Sequence, residues 1–133
     1  MLRNIIATEL IVRDLPACTA FYRDTLGLTV AESGPDHVVF KVGELYLFLL
    51  EAAGAARMMS EEPLEVPSGD GSHVLLAARV DDVDALYADL KAKGVKLLRP
   101  PTDQPWGFRT AYFADPEGNY WEINQPVKPQ AGG

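Results

Sequence analysis

One order of elements is written twice in this chain: strand, aspartate, amphipathic helix, glycine, strand. The stretch "TELIVRDLPACTAFYRDTLGLTV" carries it first and "LLAARVDDVDALYADLKAKGVKLL" carries it again, placing Asp82 68 residues after Asp14. A duplication this short confines the chain to two like modules, each with one apolar helix stripe and one apolar sheet face to bury. Either aspartate can cap its helix by accepting from free N–H groups at the positive end of the dipole. Leu15, Cys18, Phe21 and Tyr22 fall on one helix face, as do Val83, Leu86, Tyr87 and Leu90. Gly27 and Gly94 follow where a helix ends best on a left-handed residue.

Strand patterns follow each helix, at 29–32, 37–42 and 44–51 and again at 95–99, 108–114 and 119–124. Each half therefore has the order β-α-β-β-β, an α+β arrangement. Module one runs over about 4–51, a connecting loop over 52–71, module two over about 72–126 and a flexible tail over 127–133, all within a single domain. The connection "AAGAARMMSEEPLEVPSGDG" shows no sustained period, which suits a lid, a binding loop or a disordered segment.

Alternation along the strands assigns their faces. Ile6, Leu10 and Val12 go under the first helix, leaving Ile5, Ala7, Glu9 and Ile11 on the other side. Val74, Leu76, Ala78 and Val80 go under the second, with His73, Leu75, Ala77 and Arg79 facing away. In the last strand Trp121 and Ile123 go under, and Tyr120, Glu122 and Asn124 face away. Tyr46 and Phe48 match Trp121 and Ile123 by position and are expected in the core. The faces turned from the helices are expected to line a shared cavity. Within "DPEGNYWEIN", Asp115 to Gly118 suit a type I turn, and Glu122 then stands among apolar neighbours. A carboxylate facing an interior needs a metal, a base, a hydrogen-bond donor or water.

Composition removes several functions. The net charge of -7 argues against nucleic acid, which is bound through clustered Lys and Arg, and mildly favours neutral or cationic ligands. Cys18, the single cysteine, allows no internal disulfide and fits a reducing compartment; at helical spacing among apolar residues it is expected to be buried and inert. The start "MLRNIIATELIV" lacks a cleavable small-residue site, and the longest apolar run, "LYLFLL", is too short to span a bilayer. A cytoplasmic protein without membrane contact is expected.

With "DLPACTAFYRDTLGL" early and "YFADPEGNYWEI" late, the duplicated chain resembles the vicinal oxygen chelate superfamily over roughly residues 4 to 126. That superfamily includes glyoxalases, extradiol dioxygenases, fosfomycin-modifying enzymes and bleomycin-binding proteins. The resemblance implies a curved, cup-like mixed sheet with helices on the outside, and pairing of chains into a homodimer. It also implies where a divalent ion would be held. The position seven residues before Asp14 is Ala7, its equivalent in module two is Leu75, and the position seven residues after Asp115 is Glu122. A fourth ligand, where the family has one, would fall at Leu47. Methyl groups cannot replace lone pairs, so the usual metal site is absent.

Glu9 and His73 stand two residues from the Ala7 and Leu75 positions. Three readings stay open for them: a plain Glu–His pair across strands, a ligand-contacting pair, or a displaced site for Zn, Ni, Mn or Fe using Glu9, His73 and Glu122. Trp106 and Phe108 fall where bleomycin-binding relatives carry aromatic surfaces, open to rim packing or ligand stacking. Arg109 falls by alternation on the helix side, and Lys41 can look into the cavity.

The expectation is a metal-independent small-molecule binding protein of the bleomycin-resistance kind, with no cofactor. Its cavity walls are Ala7, Leu47, Leu49, Leu75, Phe108, Tyr112 and Tyr120, and its polar points are Glu9, His73, Glu122 and Asn124, with Trp106 at the mouth. Glu122 serves a cationic or donating ligand group, or is held by neighbouring Tyr and Asn donors. Two alternatives remain: an enzyme using the displaced metal or a His73/Glu122 acid–base pair, and a non-catalytic dimer module with a vestigial cavity. No catalytic residue is assigned.

Overall fold

The computed structural model describes Met1 and residues 7–63 and 74–127. Two compact units divide the chain, Met1–Gly71 and Ser72–Gly133.

In the first unit the order is β1 (Thr8–Val12), α1 (Leu15–Ala20), β2 (Thr29–Ser33), β3 (His37–Val42), β4 (Leu45–Glu51) and α2 (Ala52–Met59). The sheet runs β1-β4-β3-β2, with β4 parallel to β1 and antiparallel to β3. A parallel β1–β4 pair needs a crossover, and α1 with the β2–β3 hairpin provides it. Asp14 caps α1 as expected, its Oδ1 accepting from the Ala17 N–H at 2.9 Å. The helix continues as a π-helical turn, Phe21–Thr25, closed by the Leu26 N–H donating to the Phe21 carbonyl at 3.0 Å. Gly27 then leaves at φ +72°, a conformation costly for a residue with a Cβ. Leu15, Cys18 and Tyr22 point onto the sheet and are buried, with Tyr22 5.9 Å from the Phe40 ring.

The faces of β4 reverse one expectation. Leu47 pairs with Phe40 and Leu49 with Val38 and Leu10, so both leucines lie beneath α1, 4% and 0% exposed. Neither is a cavity wall. Tyr46 and Phe48 take the opposite face beside Lys41 and Val39, and Tyr46 is 46% exposed rather than core. The cause is physical: "LYLFLL" is apolar at every position, so no alternation marks its faces. A one-residue slip in matching it to the last strand exchanges every side chain.

The connection after β4 also differs from expectation, because its first eight residues form α2. This helix packs against β1 and β4. A Cβ added at Gly54 would lie 2.8 Å from the Asp36 carboxylate. Glycine is what lets α2 approach the β2–β3 turn so closely. Residues 64–71 of the connection, and 72–73 at the start of module two, lie outside the described residues.

The second unit repeats the plan: β5 (Leu75–Arg79), α3 (Val83–Ala92), β6 (Lys96–Asp103), β7 (Phe108–Ala114) and β8 (Tyr120–Pro126), ordered β5-β8-β7-β6. Asp82 caps α3 through the Ala85 N–H at 3.0 Å, and the Gln125 side chain accepts from the Val83 N–H. Val83 and Leu90 pack with Phe113, Trp121 and Ile123 in the core, where the Phe113 and Trp121 rings stack within 4° of parallel. Arg109 is on the helix side, as alternation required. Its guanidinium forks onto Asp84 at 2.7 and 2.8 Å and reaches Asp103 at 2.9 Å, so it ties α3 to β6 and β7. Those carboxylates hold its pKa above the usual arginine value, the bond to Asp84 contributing most. The expected turn closes with the Gly118 N–H donating to the Asp115 carbonyl at 3.1 Å. Asp115 also accepts from the Glu117 and Asn119 backbone N–H groups, each at 2.9 Å.

Candidate functional site

Pairing across the second sheet gathers the expected polar and aromatic residues on the face turned from α3. Leu75, Ala77 and Arg79 of β5 stand opposite Tyr120, Glu122 and Asn124 of β8. On the other side of β8, Glu122 pairs with Tyr112 and Asn124 with Thr110 of β7. Glu122 is half-buried and both of its oxygens are engaged. Oε1 accepts from the Tyr112 hydroxyl at 2.6 Å and Oε2 from the Asn124 amide at 2.7 Å. Neighbouring Tyr and Asn donors, among the partners open to this carboxylate, are both in place. The Tyr112 phenol is held above the usual tyrosine pKa, chiefly because its proton is committed to Glu122, with burial adding to the effect.

Arg79 extends the network. Its Nε donates to Asn124 Oδ1 at 2.8 Å, so Asn124 links the guanidinium to the carboxylate. The guanidinium carbon lies 4.9 Å from the centre of the Phe108 ring, a cation–π distance. Arg99 of β6 pairs with Tyr112 and its charge is felt by the phenol. Neither arginine figured among the expected binding residues, although alternation had already put Arg79 on this face. Trp106 lies on the β6–β7 loop, 62% exposed. Phe108 is only partly exposed, on the same face as Tyr112.

The open face of the first sheet is less polar. Glu9 stands beside Phe48, with Lys41 beside Tyr46. Glu9, Phe48 and Leu50 join Gly54 and Met58 of α2 around a cleft of about 340 Å³ that Asp36 and His37 also line. His37 sits between Asp36 at 3.3 Å and Glu32 at 3.4 Å, and these carboxylates raise its pKa, Asp36 the more. His73, the expected partner of Glu9, lies outside the described residues.

The description "Glyoxalase/Bleomycin resistance protein/Dioxygenase superfamily" matches residues 4–123. The chain belongs to this superfamily. It is 35% identical over 123 residues to the protein YraH of Bacillus subtilis, covering 90% of this chain and 96% of that one. Three longer mycobacterial relatives are spanned over 57% to 64% of their length. Among solved structures, a glyoxalase/bleomycin resistance protein/dioxygenase from Nocardioides superposes with a TM-score of 0.80 at 28% identity, covering 100% of this chain and 90% of that chain. A lactoylglutathione lyase from Agrobacterium tumefaciens gives 0.74 at 29% identity, over 91% and 92%. The α+β fold of two four-stranded mixed sheets is that of the superfamily.

Set against the superfamily's metal positions, the side chains are a poor donor set. Ala7 and Leu75 offer no lone pair. Registers also move the fourth position: Glu122 stands opposite Ala77 on β8, and its counterpart opposite Glu9 on β4 is Phe48, not Leu47. Glu122 alone offers oxygens, and each already accepts a hydrogen bond. A catalytic divalent ion ordinarily takes about three protein ligands, so these positions do not fit one. Among the described residues no three His, Cys, Asp or Glu side chains gather as a metal cluster.

Proposed function

We propose that this protein is a metal-independent small-molecule binding protein, of the sequestering kind represented by the bleomycin resistance proteins of its superfamily, and that it works as a cytoplasmic homodimer. The reading is carried by Glu122. At the position where the superfamily's metal enzymes have a carboxylate ligand, this chain ties its carboxylate to Tyr112 and Asn124. A carboxylate so held is a fixed acceptor that orients two other side chains. Both of its oxygens already meet donors, which leaves little of it to reach a substrate as a general base. The same face carries Leu75, Tyr120 and Phe108 among its charged and polar groups, a mixed surface on which a small molecule can be both packed and oriented. The lone buried thiol of Cys18 suits a reducing compartment. Among the described residues no helix is long and apolar enough to cross a membrane.

Metal analysis tests this reading. Tag-free, dialysed protein is expected to hold well under one equivalent of Zn, Ni, Mn or Fe. Stoichiometric metal that disappears in Glu122→Ala would overturn it. Parallel loss in Glu9→Ala and His73→Ala would establish the displaced site in its place.

A further inference from the structure

The chain is acidic overall, at -7, yet the open face of the second sheet is basic. By strand register Arg79, Lys96 and Arg99 share that face with a single carboxylate, Glu122. That carboxylate is already engaged on both oxygens, so it has little left to offer a cationic ligand. Arg79 is different. It is exposed, and its described contacts use only Nε, on Asn124, and the flat of the guanidinium, over Phe108. The two outer nitrogens have no hydrogen-bond partner among the described residues. The bond to Asn124 and the stack on Phe108 fix the plane of the fork, removing rotamer freedom that a ligand would otherwise have to freeze.

We infer that the ligand of this site carries a carboxylate, met by the outer edge of Arg79, on a flat apolar body that packs beside Phe108. The inference rests on the binding reading above and names its ligand class. A planar carboxylate matches the guanidinium fork with two parallel N–H···O bonds, which a neutral amide cannot equal. Arg99 and Lys96 lie three strands away on β6, so the charge that meets the ligand is that of Arg79, and Asn124 stands between it and Glu122 as a neutral spacer. The overall negative charge does not oppose this strongly, because exposed charges beyond about 8–10 Å are largely screened at physiological salt.

A matched set of probes separates the possibilities: 2-naphthoate, 2-naphthamide and 2-naphthylmethylammonium, each titrated into isotopically labelled full-length protein. The readout is the chemical shifts, including the Arg79 side-chain Nε–H. Naphthoate is expected to bind at least tenfold more tightly than the amide and to shift the Arg79 resonance. Arg79→Gln should abolish that preference, and Arg79→Lys, which keeps charge but loses the fork, should fall between. If the amide or the ammonium binds this face as well as naphthoate does, the anionic class is wrong and the binding reading survives. If none of the three perturbs the second unit at millimolar concentration, both fail together.

Discussion

At the scale of single residues, the decisive contact is 2.6 Å long and joins the Tyr112 hydroxyl to Glu122. It has a pH signature. A phenol whose pKa is higher folded than unfolded lends stability that is complete below about pH 10 and is lost as pH rises through the higher folded value. Alkaline titration followed at the Tyr112 ring by NMR should therefore show a late step, above the usual tyrosine value. In Glu122→Gln the late step should move down toward the usual tyrosine value, because the leading cause of the shift is the bond to the carboxylate. If the late step is unmoved, burial and not Glu122 sets it. The same contact shows how far the site was legible beforehand. Alternation alone put Tyr120, Glu122 and Asn124 on one face, and Tyr and Asn were named as donors Glu122 could have. Arg79 was on that face too, but nothing in a one-dimensional pattern shows that Asn124 and Phe108 hold its side chain in place.

At the scale of elements, legibility followed contrast. Where polar and apolar residues alternate, as in "YWEIN", or where a cap and a glycine bracket a helix, faces and ends came out as the structure has them. Where the run was uniformly apolar, as in β4, the faces were exchanged. Helix α2 was missed because "AAGAARMM" has small residues where a periodic stripe would otherwise announce itself. The corrected faces can be checked by substitution. Leu49→Ala, beneath α1 and fully buried, should destabilise the protein by about 2–5 kcal/mol in chemical denaturation. Phe48→Ala, on the opposite and partly exposed face, should cost clearly less. Equal losses would mean that both faces of β4 are packed alike.

For the whole molecule, the strand orders leave β1 and β5 each at the end of its own sheet, and Leu45 and Leu75 are 73% and 57% exposed. Exposed apolar side chains near sheet margins suit association with a second copy, and two-fold dimers are the commonest closed assembly. Light scattering at tens of micromolar should give twice the chain mass of 14.5 kDa. A monomer there would remove the dimer from the proposal. The π-helical turn after α1 bears on how the two halves are related. Asp14 and Gly27 are separated by 13 positions, Asp82 and Gly94 by 12. Carried through a regular α-helix, one additional residue would rotate everything beyond it by about 100°. Widening a single turn takes up that residue locally, so Gly27 still closes its helix as Gly94 does. Phe21–Thr25 is thus where the two copies fell out of step in length while their architecture stayed in phase, a one-letter divergence kept in the backbone as a bulge.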